Sequence, residues 1–302
     1  MERKYTYGVT LVIIGGVFLS LSGILLRNIE SASGWQILFY RGLAFSSMLF
    51  FILLLKYRLG TIDAFRAIGR LGVWAAIILG LGSICYVYAI LLTTVANAVF
   101  IIGSAPLATA LVGWIILKER TSKFGIIAML ISLIGIGFMF ADGLLEGRWL
   151  GNVVALLVVA SFVTFLMIIR SRRQVDMLPA TCLSGLVMAG IAFLVADDFN
   201  ISQHDLVISL LLGFVQLGIG FLCFTIATRY IMASEVALFA LTESILGPIW
   251  VWIGVGEQPS VLTIVGSGIV LVCVSSYCIV GIRGEQRRLN LKSLIKSTEG
   301  NL

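Results

Sequence analysis

The chain has 302 residues, of which 60% are hydrophobic and only 12% charged, with a formal net charge of +6 at pH 7. Ordinary globular domains carry about 25% charged residues, so this composition excludes a soluble protein and points to an integral membrane one. The positive balance needs no nucleic-acid partner, because basic cytoplasmic loops and attraction to an anionic inner leaflet account for it.

Apolar runs of about 20 residues cross a hydrocarbon core of roughly 30 Å as helices, and backbone amides in lipid must bond within their own segment. Ten such runs predict an all-α integral membrane fold: 7–26, 35–55, 71–92, 94–117, 123–141, 149–169, 178–195, 207–228, 234–254 and 260–282. With the N-terminus inside, Lys and Arg collect on one side and only Arg27 and Arg148 fall on the other. That asymmetry predicts both termini in the cytoplasm. The first run is preceded by Glu2-Arg3-Lys4 and followed by no cleavage pattern, so it reads as a retained span.

In the first span Gly15, Gly16, Ser20, Ser22 and Gly23 form a thin face that lets another helix approach. The second holds Tyr40 and Arg41, with Arg41 six residues from Trp35 and so about 9 Å below the outer interface. From there its stem can snorkel outward, or its guanidinium can bind a substrate carboxylate or an acidic side chain. Tyr86 and Tyr88 in the third span, with Tyr40, make either an aromatic wall around a ligand or ordinary packing. Asn97 opens the fourth span and Pro106 interrupts it. The eighth places Gln216 near its middle, to orient a polar ligand or to bond another helix.

The ninth span opens on Glu235 and carries Glu243 nine residues from both Ser234 and Trp252, about 13 Å from each end. A carboxylate at that depth costs roughly 2.5–3.5 kcal/mol, so it faces protein or water. The readings for Glu243 are an ammonium contact, a proton-coupling site, or a buried partner for Arg41. Pro106 and Pro248 each remove a helical amide, from the carbonyls of Ile102 and Ser244, and are expected hinges. Asn97 and Glu235 read as helix-end or gate residues. Trp35, Trp250 and Trp252 read as interfacial anchors. The tail, 283–302, alternates basic with apolar residues and reads as a cytoplasmic segment at the membrane surface.

The chain also repeats itself. Gly80, Gly82, Cys85, Ala89, Trp114, Ile115, Glu119 and Ser122 stand 138 residues before Gly218, Gly220, Cys223, Ala227, Trp252, Ile253, Glu257 and Ser260. Upstream the offset is 143, relating Gly8 to Gly151, Arg27 to Arg170 and Gly42 to Gly185, so the copies differ by a five-residue loop after the second span. The repeats are 1–142 and 143–282. Five spans per copy is odd, so the second copy is expected upside down relative to the first, the arrangement that places a site near the midplane of a carrier.

Five cysteines, Cys85, Cys182, Cys223, Cys273 and Cys278, all lie within spans and read as packing residues. No zinc motif and no phosphate loop is present, so no metal, no cofactor and no catalytic residues are expected. A passive channel would need more polar lining than one Arg, one Glu and one Gln. An enzyme would need several convergent catalytic groups.

The chain resembles the EamA-type branch of the drug/metabolite transporter superfamily. The resemblance rests on the two-times-five pattern, on Phe39-Tyr40-Arg41-Gly42, and on Pro106 followed by Trp114 and Lys118-Glu119. It also rests on the stretch from Glu243 through Pro248 to Trp250, leading to Gly256-Glu257-Gln258-Pro259-Ser260. One departure is Ser244, where this family often has a proline. The resemblance implies a secondary carrier in the cytoplasmic (inner) membrane, commonly an exporter of amino acids, other metabolites or drugs. An Arg and a Glu in one cavity suit a zwitterion such as an amino acid. A multidrug-type exporter of lipophilic compounds and an importer of a small polar solute stand as alternatives. The expected partners are a small-molecule substrate, the lipid bilayer and a second copy of the chain.

Overall fold

The computed structural model describes residues 2–105, 107–109, 111–112, 147–172, 174–227, 230, 233–273, 275–276 and 280, with scattered positions between 127 and 141. Among them every regular element is helical. In chain order these are α1 (Glu2–Ser20), α2 (Ser22–Arg27), α3 (Gly34–Tyr57), α4 (Thr61–Ala67), α5 (Gly69–Leu92), α6 (Val95–Ile102), α7 (Trp149–Ser171), α8 (Leu178–Val195), α9 (Gln203–Leu211), α10 (Gly220–Ala227), α11 (Ala233–Val255) and α12 (Val261–Cys273). A π-helical stretch, Leu212–Ile219, joins α9 to α10.

Six helical runs are long and apolar enough to cross a membrane, at the first, second, third, sixth, seventh and eighth predicted spans. Shorter apolar helices, Val95–Thr109, Leu246–Val255 and Val261–Cys273, lie within the fourth, ninth and tenth. The predicted hinge Pro106 and the motif residues Trp114, Lys118 and Glu119 lie outside the described residues, as do Cys278, the tail and the side chain of Glu235.

Local sequence sets several boundaries. Ser33 caps α3 and forms a reciprocal box with Gln36, satisfying two amides that a helix start leaves unpaired. Thr94 caps α6 through the Asn97 amide, and Ser202 caps α9 through that of Asp205. The column of α1 and α2 breaks at Leu21, whose amide bonds the carbonyl of Phe18, three residues back. Beside the break the Ser20 hydroxyl bonds the Val17 carbonyl, a competition that bends helices. Where a plain loop was expected after the second span, a turn at Arg58–Gly60 and α4 are found.

Without a hydrophobic drive between helices in lipid, close van der Waals approach has to hold them together, and small residues permit it. Helices α3 and α8 pack side by side. A Cβ on Gly42 would lie 2.7 Å from the Gly185 carbonyl, and one on Gly185 would lie 2.9 Å from that of Gly42. Gly42 also meets Ala189 while Gly185 meets Ser46, and these two contacts exchange under the 143-residue offset. Pairings along the two helices run in opposite directions: Phe39 meets Phe193, the Ser46 hydroxyl donates to the Cys182 carbonyl, and Tyr57 reaches Asp176. Equivalent helices in reciprocal antiparallel contact define a local two-fold axis through the glycines. The other contacts follow the same exchange, since α5 packs on α7 as α10 packs on α1, and α6 on α7 as α11 on α1.

Polar fastenings close both ends of the α3–α8 unit. At the Trp35 end the buried Asp205 carboxylate accepts from the amides of Glu30, Ser31 and Ala32 and from the Ser31 hydroxyl. Gln36 Nε2 donates to Asp198 and to the Asn200 carbonyl. At the other end Asp176 takes an ion pair from Lys56, the Tyr57 hydroxyl at 2.6 Å and the Leu178 amide at 3.1 Å.

Burial alone would raise the Asp176 carboxyl, but the hydrogen bonds from Lys56, Tyr57 and the Leu178 amide hold it down at about 2. An unfolded aspartate titrates near 3.9. Its stabilisation is therefore complete above about pH 4 and disappears as pH falls towards 2. Melting of the detergent-purified protein against pH should show Asp176→Asn approaching wild type between pH 4 and 2; a constant gap between the curves would contradict this.

Candidate functional site

The crossing at Gly42 carries Arg41 into the bundle interior. Arg41 is 1% exposed, so of its two readings the outward snorkel does not hold: the guanidinium turns into the protein rather than along lipid. Its Nη2 donates to Gln216 Oε1 at 3.0 Å, and Gln216 Nε2 donates onward to the Leu19 carbonyl at 3.3 Å. The two bonds together orient the amide. On the opposite side the guanidinium lies 5.6 Å from the centroid of the Tyr86 ring, a cation–π distance. The Tyr86 hydroxyl donates to Glu243 Oε1 at 3.0 Å and shares a short hydrogen bond with Ser22.

One polar chain therefore links α1, α2, α3, α5, the π-helical stretch and α11, in the order Leu19 carbonyl, Gln216, Arg41, Tyr86, Glu243, with Ser22 at the tyrosine. Arg41 and Glu243 do not form an ion pair; Tyr86 stands between them. Arg41 Nε and Nη1 are buried and donate to no protein acceptor. A buried donor left unpaired costs about 1–3 kcal/mol, more on a charged group. Groups in that condition are what an anionic ligand oxygen satisfies.

The π-helical geometry brings Gln216 into this chain. Its wider turn is confined to Leu212–Ile219, and such segments concentrate at functional sites. Gly213 lets it lie against α3, since a Cβ there would fall 2.5 Å from the Arg41 carbonyl. The residue 138 positions earlier is Ile78, within uninterrupted α5, so the two repeats are not equivalent here.

Other expected site residues lie elsewhere. The Tyr40 hydroxyl donates to the Phe199 carbonyl at the Trp35 end, and Tyr88 packs on Trp35 with centroids 5.1 Å apart. Neither lines an aromatic wall with Tyr86, because each ring is taken up at the bundle end. Trp250 is not an interfacial anchor: its indole nitrogen donates to Ser20 Oγ at 3.0 Å. Asn97 is fully buried and accepts from Thr263 at 2.7 Å, tying α6 to α12. Pro248 lies within α11. Among the described residues no cluster of His, Cys, Asp and Glu is arranged to hold a metal.

A second constellation, not anticipated, closes the bundle end marked by Arg27. Arg27 Nε bonds Glu257 Oε2 at 2.7 Å and its Nη2 bonds the Thr93 carbonyl at 2.8 Å, while the Val95 amide donates to Glu257 Oε1 at 2.8 Å. The end of α2, the α5–α6 junction and the loop after α11 are joined in one knot. The available sequence signal was Arg27 itself, one of two cations on the sparsely basic side.

The profile of the EamA-like transporter family matches residues 6–141 and 149–280. The chain belongs to the EamA-like transporter family. Comparison with curated proteins finds no match. A solved structure, described only as the crystal structure of a protein, is similar in fold at a TM-score of 0.63 and 16% identity, covering 92% of this chain and 98% of its own. As an EamA-like protein the chain is a multi-pass membrane transporter and not an enzyme.

Gln216→Leu would strand the Arg41 guanidinium without an acceptor, and should cost about 2–5 kcal/mol, seen as a lower melting temperature in detergent. Gln216→Glu should restore stability by pairing with Arg41. Equal melting of both variants and wild type would show that the bond carries no weight.

Proposed function

We propose that this EamA-like protein is a secondary active transporter, most suited to export, of a small zwitterion or amine of the amino-acid type. Ten spans in two inverted five-helix repeats, with both termini in the cytoplasm, alternate access to the polar chain around Arg41. The observation that carries this reading is the separation of the two charges by Tyr86, together with the unused donors on Arg41. Had Arg41 and Glu243 formed a closed ion pair, both would be spent on structure. Instead a substrate carboxylate fits Arg41 Nε and Nη1, and an ammonium fits Glu243 beside Ser22 and Tyr86. Glu243 is also the group suited to exchange a proton with the transport cycle. The reciprocal antiparallel packing of α3 on α8 supports the inverted repeat, since a two-fold axis in the membrane plane relates two mirror states of one carrier.

The Arg27–Glu257 knot supports a gate. It bridges the two repeats at the end that basic-residue asymmetry assigns to the outside, so its rupture precedes opening there.

Thermal shift in detergent against amino acids, amines, carboxylates and lipophilic cations tests the substrate class. Stabilisation by a zwitterion should be lost in both Arg41→Ala and Glu243→Gln, because mass action requires the bound contacts. In proteoliposomes Glu243→Gln should also lose the pH dependence of transport. Stabilisation by lipophilic compounds alone, unchanged in the variants, would overturn the zwitterion reading in favour of a multidrug-type exporter.

For the gate, a charged hydrogen bond contributes about 1.5–3 kcal/mol. Arg27→Ala should therefore raise outside labelling of Ser22→Cys, in a chain without other cysteines, roughly 10-fold or more with a membrane-impermeant thiol reagent. An unchanged labelling rate would rule the knot out as a gate.

A further inference from the structure

The lipid-facing side of α3 does not stop where the helix stops. Phe51 and Leu55, four residues apart and therefore on one helical face, are 61% and 65% exposed, as membrane contact requires. The charged belt of Lys56, Tyr57 and Asp176 then marks the end of the hydrocarbon region. Beyond that belt an exposed surface would ordinarily be polar. Here Leu59 is fully exposed and Ile62 is 64% exposed.

These two residues are held in place. Arg58 adopts a positive φ of 50°, uncommon for a residue with a side chain, and its carbonyl is fixed by the Thr61 hydroxyl at 2.7 Å. Phe65 of α4 packs against Phe50 of α3, and Ile68 is buried against Met177 and Ala180. The inner side of the segment is thus fastened to α3 and α8, leaving Leu59 and Ile62 pointing away from the protein. Around them Arg58 and Arg70 are exposed with no ion-pair partner among the described residues, while Arg66 has only a loose contact to Asp63 at 3.6 Å.

We infer that the turn Arg58–Gly60 and helix α4 form a membrane-surface foot that binds anionic phospholipid, with Leu59 and Ile62 sunk at the acyl boundary and Arg58 and Arg70 on the phosphate headgroups. Apolar side chains with basic neighbours beside them are the pattern of a segment lying in the interface, and the apolar part is continuous with the lipid-facing side of α3. A water-facing loop explains the arginines but not the leucine and isoleucine. A protein partner on the apolar patch would have to displace the bilayer that already meets α3.

The test uses the full chain, purified in detergent and exposed to phosphatidylglycerol, phosphatidylcholine or inorganic phosphate. Retained lipid is read by native mass spectrometry and the rise in melting temperature is read in parallel. The wild type should retain and be stabilised by phosphatidylglycerol over phosphatidylcholine. Each arginine near an anionic surface contributes roughly 5-fold, so Arg58→Gln with Arg70→Gln should lower that preference roughly 30-fold. Since Arg58 sits in the strained turn, Arg66→Gln with Arg70→Gln repeats the measurement without touching it and should also weaken the preference. Leu59→Asn with Ile62→Asn should reduce retention of phosphatidylglycerol with every arginine in place. Equal retention in all variants, or the same stabilisation by inorganic phosphate alone, would overturn the inference.

Discussion

Two glycines set the architecture. Because neither Gly42 nor Gly185 has a Cβ, α3 and α8 cross with their backbones in contact, and in lipid such closeness is a principal source of attraction between helices. The crossing is reciprocal and antiparallel, so whatever stands beside Gly42 in the first repeat has its counterpart beside Gly185 in the second. Beside Gly42 is Arg41; beside Gly185 is Ser184, which spends its hydroxyl on the Thr181 carbonyl. The symmetry of the frame thus brings an asymmetric charge to its centre.

That charge organises its surroundings. A guanidinium inside a bilayer protein needs acceptors, and each element within reach contributes what it has: an amide from the π-helical stretch and an aromatic face from α5. The phenol of that same ring turns to the carboxylate of α11. The arrangement stops short of neutralising Arg41 directly, and its Nε and Nη1 keep no protein acceptor. The Arg27–Glu257 knot and the Lys56–Asp176 pair likewise join helices of different repeats.

The repeat, the membrane class and the family resemblance were all readable from residue order, because offsets and apolar run lengths are properties of one strand of sequence. Gln216 and Tyr86 were readable as polar groups inside spans and as candidate site residues with Arg41, though the contacts that join them were not. Trp250 was misread, and the sequence did not decide between a wall and packing for Tyr40 and Tyr88, since a tyrosine or tryptophan near a span end carries no sign of which way its ring turns. Ser22, Asp205 and the π-helical stretch left no distinguishing signal. A serine reads as a small packing residue, an aspartate in a loop reads as solvated, and a π turn has no composition of its own.

Sequence alone determined that this chain is a duplicated membrane transporter of the EamA-like kind, because hydropathy and self-similarity are local or periodic and need no coordinates. Only the tertiary structure decided that Arg41 is buried rather than snorkelling, that Tyr86 separates it from Glu243, and that Arg27 meets Glu257. Those outcomes depend on which helices cross, and at what backbone distance. Crossing is set by the absence of side chains at Gly42, Gly185 and Gly213, whose effect appears only when a second helix arrives to use the space.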